Sequence, residues 1–232
     1  MKKLKTIIKI YFLLCILVFF QSFFGLKKKY ACGIDVFVRT QGLAVWYFIV
    51  PISVIIGFVF LKNEMNYNMI VRKKNIKEIW LDILLNIFHS GYIITFLLFF
   101  SCGTIAVLYG NFYKWNETTS LFYMLNGGTL NYLNLKFFVF MYLVSTFFYV
   151  VISQLLVQVI WWWTGNDVMG MLVTIGLFAV LMRNGLPWLM RSGVYYNIWT
   201  APISNFYQFI FPLLLIVVLI GLGYLKRKRD FL

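Results

Sequence analysis

Acidic residues and histidine are scarce in this sequence, with seven Asp and Glu and one His among 232 positions. A single histidine, His89, excludes a His-rich zinc centre built from one chain, since zinc takes three or four protein ligands. The three cysteines show neither metal-ligand spacing nor a disulfide framework: Cys15 and Cys102 fall in apolar runs and Cys32 in a loop. No Gly-rich loop ends in Gly-Lys-Ser or Gly-Lys-Thr, so the chain binds no ATP through a P-loop of its own. Asp82 and Asp167 lie near the ends of apolar blocks, where the buried acids of a proton-coupled carrier are not expected. An intramembrane hydrolase needs converging carboxylates, a liganded metal or a nucleophile with a base. Glu64, Glu78 and Asp82 come near one another but mix with Lys62, Lys74 and Lys77, which reads as a solvated charged face. No catalytic residue is assigned, and the chain reads as a non-enzyme. Long hydrophilic stretches are also missing. The largest, Gly110 to Leu135, is too short for a separate soluble domain.

What remains is apolar. Hydrophobic residues make up 62% of the chain and charged ones 12%, a balance that would leave a soluble domain with a large exposed apolar surface. They arrive in blocks of membrane-crossing length, about 20 residues for a ~30 Å hydrocarbon core. The expected fold is an all-α integral membrane protein, a single transmembrane domain over 1–232, with six spans at about 10–26, 43–61, 80–109, 137–161, 168–182 and 206–225. The first follows Lys2, Lys3, Lys5 and Lys9, like the charged start of a signal peptide. Its apolar run is too long for a typical signal core, however, and ends without a small-residue cleavage pattern. Pro51 predicts a kink in the second span. The third exceeds what a bilayer requires and should tilt or project. The fifth would rise only ~22 Å and needs supplementing. The aromatic stretch Leu186 to Asn205, broken by Gly185, Pro187, Gly193 and Pro202, suits short helices at the outer interface.

The net charge of +14 sits beside the apolar blocks, which favours anionic lipid headgroups as partners over nucleic acid. With both termini cytoplasmic, the inner segments hold the Lys/Arg clusters at 2–9, 62–77 and 226–229. These make up thirteen of the 21 Lys and Arg, against eight outside, where Lys27 to Lys29 are the exception. Polar residues enter the spans, among them Gln21, Asn86, His89, Gln154 and Gln158. Gln154 and Gln158, four apart, share a helix face and either line a pathway or bond to a neighbouring helix. Solvation predicts that His89 faces the protein interior. Trp161 to Trp163 read as interfacial anchors facing lipid.

The stretch from Lys62 to Asp82 has a polar entry, an apolar patch at Met69-Ile70-Val71, a basic cluster at Arg72, Lys73, Lys74 and Lys77, then Trp80 before a long apolar run. Charge alone makes it a topogenic loop. An interfacial helix with its basic side toward cytoplasmic water is the second reading. This pattern resembles the first cytoplasmic loop of ABC-2-type exporter permeases, and the layout of the whole chain resembles the small bacterial permeases of peptide, bacteriocin or lantibiotic export and immunity. The resemblance implies a coupling helix between spans 2 and 3 that docks on a P-loop ATPase through Asn66, Met69, Ile70, Val71, Arg72, Lys73, Lys74 and Lys77. It further implies two ATPase copies that bind ATP and Mg, a second permease copy or a related permease, and the bacterial plasma membrane as location. The cargo would be a peptide or other amphipathic or hydrophobic substrate. A membrane immunity protein that sequesters a peptide without ATP hydrolysis is the alternative.

Overall fold

Uninterrupted apolar runs become long helices where no proline or glycine pair interrupts them, and the two longest runs here do so. In this computed structural model residues 11–20, 32–39, 50–55, 57, 76–108, 120, 135–183 and 209–225 are described, and all regular structure among them is helical. The helices are α1 (Tyr11–Phe20), α2 (Gly33–Arg39), α3 (50–55, with Gly57 also helical), α4 (Ile76–Leu108), α5 (Leu135–Thr164), α6 (Asp167–Arg183) and α7 (Ile210–Leu225). By length and composition α4 and α5 are able to cross a membrane, while α1, α6 and α7 are shorter apolar helices. At 33 and 30 residues, α4 and α5 extend ~50 and ~45 Å, well beyond a ~30 Å core. The expected coupling segment Asn66 to Lys74 and the aromatic stretch Leu186 to Asn205 lie outside the described residues. Lys77 is exposed in the first turn of α4.

Local chemistry fixes the α5–α6 corner. The Gly165 N–H donates to the Trp161 carbonyl at 2.7 Å, with Gly165 in the left-handed region at φ +67°, which closes α5. Asn166 then caps α6, its Oδ1 accepting from the N–H groups of Val168 and Met169 at 3.1 and 3.2 Å. At α2, the Asp35 carboxylate reaches back to the Cys32 N–H at 2.9 Å, the acidic half of a capping box. Both residues are buried.

The chain divides into two compact units, and the long helices contribute to both. In the unit formed by Met1–Val45, Ile93–Thr146 and Pro187–Phe209, the core gathers around Phe37 of α2. Its ring lies 5.5 Å from Phe99, 5.9 Å from Phe138 and 5.3 Å from Tyr142, so three helices meet on one aromatic side chain. The Tyr142 hydroxyl lies 3.2 Å from the Cys102 thiol. Thr104 brings α1 in through the Tyr11 hydroxyl at 3.5 Å.

The other unit, Trp46–Tyr92, Phe147–Leu186 and Ile210–Leu232, is built around α5. Residues Tyr149 to Leu155 of this helix are all buried, so it is enclosed on every side there. Gly91 of α4 packs on Val151 and Phe147, and Gly170 of α6 lies against the Val157 carbonyl. These small residues allow close helix approach. The pairs Trp80–Trp162, Ser90–Gln154 and Gly91–Val151 make α4 and α5 antiparallel within this unit.

Candidate functional site

Polar residues inside an apolar helical unit must find partners, because an unpaired buried amide or hydroxyl costs about 1–3 kcal/mol. In the α5-centred unit these groups converge. Ser53 of α3, Ser90 of α4, and Ser153, Gln154 and Gln158 of α5 are all buried, with both glutamines fully excluded from solvent. Gln158 Nε2 donates to the Gly57 carbonyl, and Ser90 Oγ lies 2.7 Å from Gln154 Oε1. The Ser53 and Ser153 hydroxyls are 2.7 Å apart. Helices α3, α4 and α5 therefore share one hydrogen-bonded layer.

Proton counting makes this layer incomplete. The Ser90 hydroxyl is also within 2.9 Å of the Ile87 carbonyl, and its one proton serves either that carbonyl or Gln154. Gln154 Nε2 and Gln158 Oε1 have no hydrogen-bond partner. One is a donor and the other an acceptor, on side chains one helical turn apart. The arrangement can hold α3 and α4 against α5 and can exchange partners, but it contains no base or ionisable group for chemistry. Among the described residues no cluster of three or more His, Cys, Asp or Glu is placed to hold a metal.

A second feature of the same unit is an indole pair. Trp80 and Trp162 lie 5.2 Å apart, both with essentially no exposure, and Trp80 Nε1 donates to the Ile220 carbonyl of α7 at 3.2 Å. Gly223, one turn further along α7, lies directly beneath the Trp80 ring. The fifth residue of α4 thus ties this helix to α5 and α7. Trp162 departs from the expectation that Trp161 to Trp163 face lipid: it is buried, and only Trp163 of the three is exposed. The Trp162 indole is drawn inward by Trp80, which the tryptophan run itself does not reveal.

Of the site residues expected from sequence, the structure gathers Gln154 and Gln158 and separates His89 from them. His89 lies on the exposed face of α4, not toward the interior as solvation had predicted. The packed face of α4 runs through Trp80, Ile83, Ile87 and Ser90, and His89 falls outside it. Ser53, Gly57, Ser90 and Ser153 were missed, because isolated small residues in apolar runs carry no mark of their partners. Comparison with protein-family models, with curated proteins and with solved structures gave no match.

Proposed function

We propose that the chain is the membrane-spanning permease subunit of an ATP-driven exporter, with six spans, both termini cytoplasmic, and a peptide or other amphipathic molecule as cargo. The observation that carries this reading is the continuity between the basic segment at Arg72 to Lys77 and α4, whose start is clamped through Trp80 to Trp162 and the Ile220 carbonyl. A push on that segment enters a stiff helix, and the clamp passes it to α5 and α7. Alternating topology supports the reading as well. Spans 3, 4 and 6, as read from the sequence, would have Trp80, Trp162 and Ile220 near their cytoplasmic ends, and these are the residues that meet. Long apolar side chains exposed on α6 and α7, such as Leu172 at 64% and Val217 at 57%, favour lipid as the surrounding medium.

In this mechanism two P-loop ATPase copies bind ATP and Mg and dock beneath two permease copies. Their closure moves the coupling segment, and the Ser53–Ser90–Gln154–Gln158 layer lets α3 and α4 shift against α5 by exchanging hydrogen bonds. Ile70 and Val71 fill an apolar notch on the ATPase while Arg72, Lys73, Lys74 and Lys77 meet its acidic rim.

The test is affinity purification in mild detergent with mass spectrometry of the co-purifying chains, on the native protein and on Arg72→Glu. A stoichiometric P-loop ATPase that is lost from the variant is the expected result. A folded protein that brings down no ATPase would overturn the exporter reading and leave peptide sequestration as the activity to examine.

A further inference from the structure

We infer that Gln154 and Gln158 bind one water molecule between them, inside the α5-centred unit. Both side chains are fully excluded from solvent, yet the chain provides no hydrogen-bond partner for Gln154 Nε2 or Gln158 Oε1. The two residues stand one turn apart on α5, with Cβ atoms ~5–6 Å from each other. Their ends do not meet, because each is drawn to a different helix. Gln154 Oε1 lies 2.7 Å from the Ser90 hydroxyl of α4, and Gln158 Nε2 donates to the Gly57 carbonyl of α3. Two amides anchored in this way leave a donor and an acceptor that a third group must join.

Turning the Gln154 amide over does not remove the need. Its nitrogen then donates to Ser90, whose own proton goes to the Ile87 carbonyl at 2.9 Å, and its oxygen becomes a second unmet acceptor alongside Gln158 Oε1. A water molecule serves both arrangements. In the first it accepts from Gln154 Nε2 and donates to Gln158 Oε1, and in the second it donates to both oxygens. A cation serves the second alone and meets no negative charge there, since Ser53, Gly57, Ser90, Ser153, Gln154 and Gln158 are all neutral. Size points the same way. A Cβ on Gly57 would stand 3.3 Å from Gln154 Cγ, so α3 and α5 approach too closely for a larger polar ligand. Water thus completes the layer that joins α3, α4 and α5, while Ser90 remains the partner that the chain itself gives Gln154. The inference concerns this unit alone and depends neither on an ATPase nor on export.

Solid-state NMR of the whole chain in lipid bilayers tests it, with nitrogen-15 in glutamine and leucine and a mildly acidic buffer to slow proton exchange. Magnetisation from water should reach the Gln154 side-chain nitrogen roughly fivefold faster than the backbone nitrogen of Leu98, which is also fully buried. Loss of the signal in Gln154→Met identifies it. If that variant does not accumulate, carbon-13 in serine carbonyls identifies the residue, because the Ser153–Gln154 pair occurs once in the sequence. In Gln158→Met the transfer to Gln154 should fall to the Leu98 rate. Equal rates in the native protein would overturn the proposal, and so would a transfer that persists in Gln158→Met. A Gln154 or Gln158 side-chain shift that follows exchange of potassium for N-methylglucamine would reveal a bound cation and overturn it likewise. Should Gln158→Met not accumulate, the native comparison with Leu98 still decides.

Discussion

Gly223 of α7 lies so close beneath the Trp80 indole of α4 that a methyl group at position 223 would overlap the ring. The same indole donates its only proton to the Ile220 carbonyl, so Trp80 is held at its face and at its edge. Gly223→Ala should destabilise the protein by about 1–3 kcal/mol through overpacking. Trp80→Phe loses the hydrogen bond and part of the Trp162 contact, about 1–3 kcal/mol. Because both changes act on one contact, the double variant should be less destabilised than the sum, with a coupling of about 1 kcal/mol. Thermal unfolding in detergent, read by tryptophan fluorescence, measures this cycle. Strict additivity would show that α4 and α7 are not joined there.

Ser90→Ala removes the one partner of the Gln154 amide and leaves both its terminal atoms unpaired in a fully buried position. The expected cost is about 1–3 kcal/mol. Replacing both groups, Ser90→Ala with Gln154→Leu, should recover most of that loss, because an apolar pair has nothing left to satisfy. If the proposed export takes place and Gln154 instead serves a passing substrate, Gln154→Leu will leave the melting temperature unchanged and lower that export alone. The two readings are therefore separated by measuring stability and export on the same variants.

How far the sequence speaks can be judged from these same residues. The spans expected at 80–109 and 137–161 became Ile76–Leu108 and Leu135–Thr164, because twenty or more apolar residues without a breaker have few alternatives to a helix. The common face of Gln154 and Gln158 follows from their spacing alone. Their partners do not follow, since Ser90 and Ser153 also satisfy themselves on their own helix, at the Ile87 and Val150 carbonyls, and announce no neighbour. His89 was misplaced for a related reason: α4 is apolar all round, so periodicity does not choose its packed face. Trp80 and Gly91, with their partners across the helix interface, make that choice.

The α5–α6 corner depends on two adjacent residues with different duties. Asn166→Ala removes the cap on α6 and should cost about 0.5–2 kcal/mol, whereas Asn166→Asp keeps an acceptor oxygen and should stay within about 0.5 kcal/mol of the native protein. Gly165→Ala must adopt φ +67° with a side chain, costing about 1 kcal/mol, although its surroundings leave room for the methyl. Comparing Gly165→Ala with Gly165→Asn separates strain from crowding. Asparagine tolerates the left-handed region better and should be the milder change. A larger loss with asparagine would show that space, not backbone conformation, limits this position.

The Cys32 thiol, in the segment between the first two expected spans, is pushed up to about 12 from an ordinary value of 9.0, first by burial and then by the neighbouring Asp35 carboxylate. The thiol is neutral when protonated, so the folded state holds its proton more tightly than the unfolded chain does. The unfolded thiol releases its proton above pH 9 while the folded one keeps it, so unfolding gains from alkali and folding stability falls. This contribution is fully present below pH 9, declines as pH rises from about 9 to 12, and should be absent from Cys32→Ser. With Cys15 and Cys102 replaced by serine, the single remaining thiol should also resist a maleimide at pH 7 to 9 in the folded protein, because alkylation needs the thiolate. Rapid labelling at pH 8 without unfolding would show that Cys32 is neither buried nor held by Asp35. A pH-independent difference in stability between the native protein and Cys32→Ser above pH 9 would remove the electrostatic part of the argument while leaving the cap intact.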